Sequence, residues 1–64
     1  MRFIKLKEVQ SLTSLSRATI YRYIDAGHFP KQVSLGDHNV AWVEEEVLEW
    51  IQERIADRDR AKAA

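Results

Sequence analysis

The 64-residue sequence contains no cysteine, so neither a disulfide nor a cysteine-ligated zinc site can stabilise its fold. Its only histidines are His28 and His38, and Asp37 is the only acidic residue adjacent to either of them. This composition predicts that the protein binds no metal ion and no other cofactor.

The chain is too short to form more than one domain. A domain of this size buries only about 60% of the surface of its unfolded chain, so its stability depends on one compact apolar core. An enclosed substrate cavity would remove part of that core. We therefore expect no catalytic residues and no enzymatic activity.

Long hydrophobic runs and an excess of charge are also missing. No apolar run approaches the roughly 18 residues of a membrane helix, and residues 1–5 are not followed by an apolar signal segment, which favours a cytoplasmic protein. The net charge is +0, but residues 1–31 carry six bases and two acids (+4), and residues 32–64 carry four bases and eight acids (−4). One face can therefore attract phosphate while another stays acidic.

Local signals predict two short helices near the N-terminus. Residues 2–6 are a short strand or an extended lead-in, and residues 7–12 form the first helix. Ser16 begins the second helix, because its hydroxyl can accept a hydrogen bond from the amide of Thr19. Gly27 supplies the left-handed residue that ends this helix, and Pro30 prevents its continuation.

The second half of the sequence predicts a hairpin and a final helix. Residues 32–35 and 40–43 are strands joined by a turn at residues 36–39. Three consecutive glutamates open the last helix, where acids suit the positive end of the helix dipole. The single domain is predicted over residues 1–60, and residues 61–64 are predicted to be a frayed tail.

The fold class is therefore α+β and mainly helical: a small winged helix-turn-helix with a two-stranded β-hairpin wing and a C-terminal helix. In a helix-turn-helix the second helix enters the major groove of DNA. Its outward side presents Ala18, Thr19 and Arg22, with Arg17 and Tyr21 on the flanks. Arg22 can reach guanine, Thr19 a thymine methyl or a phosphate, and Tyr21 a phosphate, while Ala18 lets the helix approach closely.

The hairpin is the candidate wing. Its tip holds His38 and Asn39, and Lys31 lies at its base, where these side chains can contact the phosphate backbone. Two alternative interpretations remain: the outward side of the second helix is an ordinary solvated face, and the hairpin tip is an ordinary turn.

Residues 12–24 (LTSLSRATIYRYI) and 27–30 (GHFP) closely resemble the AlpA family of phage-type regulators. Residues 35–36 (LG), residues 40–42 (VAW) and the glutamate-rich start of the last helix match as well, so the resemblance covers residues 3–56. Members look like MerR-type winged helix proteins and are related to phage excisionases. By this resemblance the recognition-helix residues are Ser16, Arg17, Thr19, Tyr21 and Arg22.

The resemblance also has a departure and implies a function. Family members often have arginine in the wing where this chain has His38, which adds charge only when protonated. The implied function is transcriptional regulation of prophage or genomic-island genes. An excisionase that bends or coats DNA and recruits an integrase is the first alternative.

A protein-interaction module is the alternative from another class. It would use the acidic helix at residues 44–59 and would not bind DNA. If the chain does bind DNA, a domain this small buries little surface on one half-site, so we expect oligomerisation on DNA. Trp50 is either a core residue or, if exposed, part of a protein interface.

Overall fold

The computed structural model describes the backbone of residues 1–63 and the side chains of residues 1–61. The elements are β1 (Phe3–Ile4), α1 (Leu6–Thr13), α2 (Arg17–Asp25), β2 (Val33–Gly36), β3 (Asn39–Val43) and α3 (Glu44–Ala63). The α+β fold with its predicted order of elements is confirmed. The sheet differs in one respect, because β1 joins the hairpin and makes three antiparallel strands in the order β1-β3-β2.

The N-terminal residues are tied to the start of both α1 and α3. Ile4 pairs with Trp42 across the sheet, and the amide of Glu44 donates to the carbonyl of Arg2 over 2.8 Å. The Arg2 guanidinium lies 2.6 Å from the Glu44 carboxylate and 2.7 Å from that of Glu8. The hydrogen bond from Arg2 lowers the pKa of Glu44, and the bonds to Glu44 and Glu8 raise the pKa of Arg2.

A tight turn joins α1 to α2. The first helix ends at Thr13 and is capped by Ser14, whose φ of 61° is left-handed and whose amide donates to the carbonyl of Gln10. The Thr13 hydroxyl donates to the carbonyl of Val9 and accepts from the amide of Leu15, which satisfies polar groups in the turn. This turn gives the two helices the close connection of a helix-turn-helix.

Both ends of α2 are capped as the sequence predicts. The Ser16 hydroxyl oxygen accepts from the amide of Thr19 over 3.2 Å. At the other end Gly27 has a φ of 79°, and two amides reach back into the last turn of the helix. The amide of Gly27 donates to the carbonyl of Ile24 and that of His28 to the carbonyl of Tyr23, the two bonds of a Schellman motif.

The hairpin reverses direction through a two-residue turn. Asp37 and His38 both have positive φ, 43° and 64°, as the mirror-image turns of hairpins require. A β-bulge lies beside the turn, where the pairing shifts between Ser34 and Gly36. These features bend the end of the hairpin away from a flat sheet.

One small core holds the elements together. Trp42 and Ile20 are fully buried at its centre, and Val9, Val47 and Ile4 bring α1, α3 and β1 against them. The core therefore contains residues from both helices of the helix-turn-helix, from the sheet and from α3. It fixes α2 against the body of the domain through one side of that helix.

The last helix continues beyond the domain core. Its residues that contact the core end at Ile51, whereas the helix runs to Ala63 and the molecule measures 48 × 24 × 19 Å. The sequence predicts that the domain ends at residue 60, but α3 continues through this position. Residues 61–63 of the predicted tail are helical, and Ala64 lies outside the described residues. Within residues 1–63 no helix is both long and apolar enough to cross a bilayer.

Candidate nucleic-acid interface

The exposed surface of α2 presents the basic residues that the sequence singled out. Ala18 and Arg22 are exposed on the side away from the buried Ile20, and Arg17 is exposed on the flank of the helix. The Arg17 guanidinium lies 5.7 Å from the centre of the Tyr21 ring, and that of Arg22 lies 5.8 Å from the Tyr23 ring. Each guanidinium therefore stacks on an aromatic ring of its own helix, which limits its freedom before any ligand arrives.

Two candidate residues at the start of α2 bond to each other. The Ser16 hydroxyl donates to the Thr19 hydroxyl over 2.9 Å and accepts from the Thr19 amide. Ser16 is exposed and Thr19 is half-buried, so the pair forms the edge of the outward side rather than its centre. Their geometry is that of a helix cap, and contact of either side chain with DNA stays a prediction.

Tyr21 has a larger structural role than its place on the flank of the helix suggests. Its ring is half-buried and packs edge-to-face on Trp42, with 6.2 Å between the ring centroids. The aromatic ring belongs to the rim of the core, and the hydroxyl is the part of this side chain that a phosphate contact would use. Sequence spacing alone does not reveal this contact, because Trp42 lies on the far strand of the hairpin.

The segment at residues 26–32, called the linker, joins α2 to the hairpin and is held at several points. The Trp50 indole N–H donates to the carbonyl of His28 over 2.6 Å, and that of Trp42 donates to the carbonyl of Pro30 over 3.1 Å. Between these bonds the Phe29 ring is buried and packs edge-to-face on Trp50, with 4.8 Å between centroids. Both tryptophans therefore attach the linker to the rest of the domain.

This arrangement answers the question that the sequence left open for Trp50. The side chain is half-buried, its N–H is used inside the chain, and the Arg54 guanidinium lies 5.4 Å from its ring. Trp50 is therefore a residue at the rim of the core, and not an exposed aromatic anchor. Its bond to His28 spans 22 residues, so no local sequence signal indicates it.

The three predicted wing residues are exposed. Lys31 lies in the linker, His38 in the turn and Asn39 at the first position of β3. Leu35, which the sequence analysis did not single out, is 48% exposed on β2 beside them. The hairpin thus offers solvent an imidazole, an amide and two apolar side chains, Val33 and Leu35, beside the cation of the linker.

The basic charge of the N-terminal half is not all free to meet a ligand. Arg2 is engaged by two carboxylates, and the Lys5 ammonium lies 3.4 Å from the carbonyl of Val40. Among the described residues, the exposed cations without an ion pair in this half include Lys7, Arg17, Arg22 and Lys31. Three of these four lie on α2 or in the linker, where the candidate interface is.

A second surface has the opposite charge. An open groove of about 650 Å³ lies between the linker and α3, and the carboxylates of Glu46, Glu49 and Glu53 line it beside Trp50. In the part of the chain that the structure describes, no group of three or more acidic or histidine side chains has the arrangement of a metal site. Lys31 and Arg54 line the same groove, so the acidic face of α3 borders the basic linker at this point.

Comparison with known proteins gives one family and two relatives. The sequence profile described as "Prophage CP4-57 regulatory protein (AlpA)" matches residues 2–55. The chain is 54% identical over 59 residues to "Uncharacterized protein ORF88" of Enterobacteria phage P4. This alignment covers 92% of this chain and 67% of that protein. It is 35% identical over 60 residues to "DNA-binding transcriptional activator AlpA" of Escherichia coli (strain K12). This second alignment covers 84% of this chain and 86% of that protein. The profile therefore spans α2, the linker and the hairpin.

Proposed function

Since the chain belongs to the AlpA family of prophage regulatory proteins, we propose that it regulates transcription by binding specific sequences of double-stranded DNA. The genes under its control are those of a prophage or a genomic island, and it acts in the cytoplasm without a cofactor and without catalysis. The name of the Escherichia coli relative, a DNA-binding transcriptional activator, supports DNA as the ligand.

The observation that carries this proposal is the outward side of α2. A helix capped at both ends presents two arginines around Ala18, and the opposite side of the helix is anchored in the core. The major groove is about 12 Å wide and admits such a helix, and a short side chain between long basic ones allows close approach. In this arrangement Arg22 reads a base, and Arg17 contacts phosphate or a neighbouring base.

The hairpin supplies the second part of the proposed interface. Lys31, His38 and Asn39 lie beyond the end of α2, where the chain leaves the major groove. Their contacts are with the phosphate backbone, which fixes the register of α2 without reading sequence. Because one domain covers little DNA, several copies bind one regulatory site.

Competition binding tests the proposal. Labelled duplexes tiled across the DNA that surrounds the gene are titrated with the protein in excess random duplex. We expect at least one tile to be retained at a competitor excess that removes binding to the others, since specific sites are typically bound 10³-fold or more tighter than random DNA. Equal loss of every tile, or no binding at low salt, would contradict the proposal.

A further inference from the structure

The linker is the joint between the two parts of the proposed DNA interface. It begins where α2 ends, carries Lys31, and leads into the hairpin whose turn holds His38 and Asn39. The packing of Tyr21 on Trp42 fixes α2 against β3, and the way residues 26–32 are held sets where Lys31 and the start of the hairpin lie relative to α2. A joint that moved freely would let the two parts meet DNA in many relative orientations.

The linker is fixed at consecutive residues by different elements. The amide of His28 is bonded to α2, and its carbonyl accepts from Trp50 of α3. The Phe29 ring enters the core, and the carbonyl of Pro30 accepts from Trp42 of β3. Contacts from α2, α3 and β3 thus hold residues 28–30, and Trp50 supplies the hydrogen bond from α3.

We propose that Trp50 is a positioning residue for DNA binding, which holds the linker so that α2 and the hairpin reach DNA in one fixed orientation. This inference rests on the proposed function. Trp50 itself contacts no DNA in this account, since its N–H is used by His28 and one face of its ring is covered by Arg54. Its effect on binding is transmitted through the carbonyl of His28 to Lys31 and the hairpin.

Loss of this hydrogen bond has a defined effect. Without the indole N–H the His28 carbonyl loses its partner, and the linker must be ordered when DNA binds instead of beforehand. A single hydrogen bond of net value about 1 kcal/mol corresponds to roughly a three- to tenfold change in an equilibrium constant. The loss of affinity comes from weaker DNA contacts of the linker and the hairpin, and the contacts of α2 are unchanged.

Trp50→Phe is the variant that tests the inference, because it keeps an aromatic ring and removes the donor. Binding to the specific duplex is measured at a temperature where circular dichroism shows every variant to be folded. Trp50→Phe is expected to bind about three- to tenfold more weakly than wild type. Ile51→Val is the matched control, since Ile51 also packs α3 against the core but donates nothing to the linker. It is expected to bind like wild type.

A double-mutant cycle separates positioning from general loss of stability. Combined with Lys31→Ala or Asn39→Ala, Trp50→Phe is expected to add less than its own fold-loss, because one of the contacts it positions is already gone. Combined with Arg22→Ala, the two fold-losses are expected to multiply. Multiplication in all three pairs overturns the inference, and so does wild-type binding by Trp50→Phe.

Three further outcomes also distinguish a failure of this inference from a failure of the proposed function. If neither Lys31→Ala nor Asn39→Ala weakens wild-type binding, there is no contact to position and the inference is wrong. If Trp50→Phe does not fold, the 64-residue chain can be synthesised with benzothienylalanine at position 50, which keeps the bicyclic ring and replaces N–H by sulfur. A wild-type protein without preference for any duplex contradicts the proposed function instead, which distinguishes the two failures.

Discussion

At the scale of single residues, the outward arginines of α2 are held before any DNA is present. Arg17 and Arg22 each stack on a tyrosine one or a few positions along the same helix. A guanidinium that is already restricted loses less freedom on binding, and it keeps its planar fork for guanine or phosphate. Tyr21 and Tyr23 thus link the two arginines to the aromatic rim of the core.

Arg22→Ala tests whether this face reads sequence. If the guanidinium bonds to a guanine edge, the substitution costs about 1–3 kcal/mol of binding to the specific duplex and relaxes the preference at one base pair. Lys31→Ala is the comparison, since loss of a phosphate contact weakens binding to specific and random duplexes alike. Fluorescence anisotropy with both duplexes measures the two effects. An Arg22→Ala protein with wild-type specificity would show that Arg22 reads no base.

At the scale of elements, the parts that sequence predicted correctly are those whose signals are local. The Ser16 cap joins residues three apart, and the Gly27 motif joins residues three and five apart. Short-range bonds of this kind follow from residue type and position, so they can be recognised without knowledge of the fold. The same is true of the turn at residues 36–39, which lies where its composition indicated.

Ser16→Ala tests the contribution of the cap. Loss of the hydroxyl leaves the Thr19 amide without its acceptor, and the free energy of unfolding is expected to fall by about 1 kcal/mol. Ser11→Ala, an exposed position inside α1, is the control and should change stability by less than about 0.5 kcal/mol. Urea unfolding measured by circular dichroism gives both values. Equal stability of Ser16→Ala and wild type would mean that water replaces the cap.

His38→Gly separates the stability of the hairpin from its proposed role on DNA. His38 has a φ of 64°, which costs a residue with a side chain about 1–2 kcal/mol. Glycine removes that cost but has more freedom when unfolded, so we expect a net gain of about 0.5–1 kcal/mol in thermal unfolding. Binding to DNA is expected to weaken. Asp37→Gly changes the other residue of the same turn, where no contact with DNA is predicted and where loss of a carboxylate cannot weaken binding to phosphate. If His38→Gly binds no more weakly than Asp37→Gly, His38 has no role on DNA.

At the scale of the whole molecule, the features that sequence did not predict join residues far apart in the chain. The Trp50–His28 bond, the pairing of β1 with β3 and the bridge from Arg2 to Glu44 span from 22 to 42 residues. Which distant groups meet depends on how the elements pack, and no residue pattern within one element records it. The family resemblance of residues 3–56 is confirmed by the profile match to residues 2–55. The DNA-contacting residues, the integrase partner and oligomerisation stay predictions.

Glu44→Gln tests the long-range bridge at the N-terminus. The pKa of Glu44 is lowered in the folded protein by its hydrogen bond from Arg2. A carboxylate with a lowered pKa adds stability above its ordinary pKa, and this contribution is lost as the pH falls through the folded-state pKa. The unfolding midpoint of Glu44→Gln should therefore fall less than that of wild type as the medium is acidified. Glu49→Gln, which makes no contact with Arg2, should follow wild type.

The most direct test of the central claim is methylation interference on the specific duplex. In the proposed complex α2 lies in the major groove, where a methyl group on guanine N7 blocks the fork of Arg22. We expect methylation of one or a few guanines in the site to prevent binding by wild-type protein, and the same methylation to have little further effect on Arg22→Ala. Binding by wild type that is insensitive to N7 methylation at every guanine, or sensitivity that Arg22→Ala fully retains, would contradict major-groove reading by this arginine.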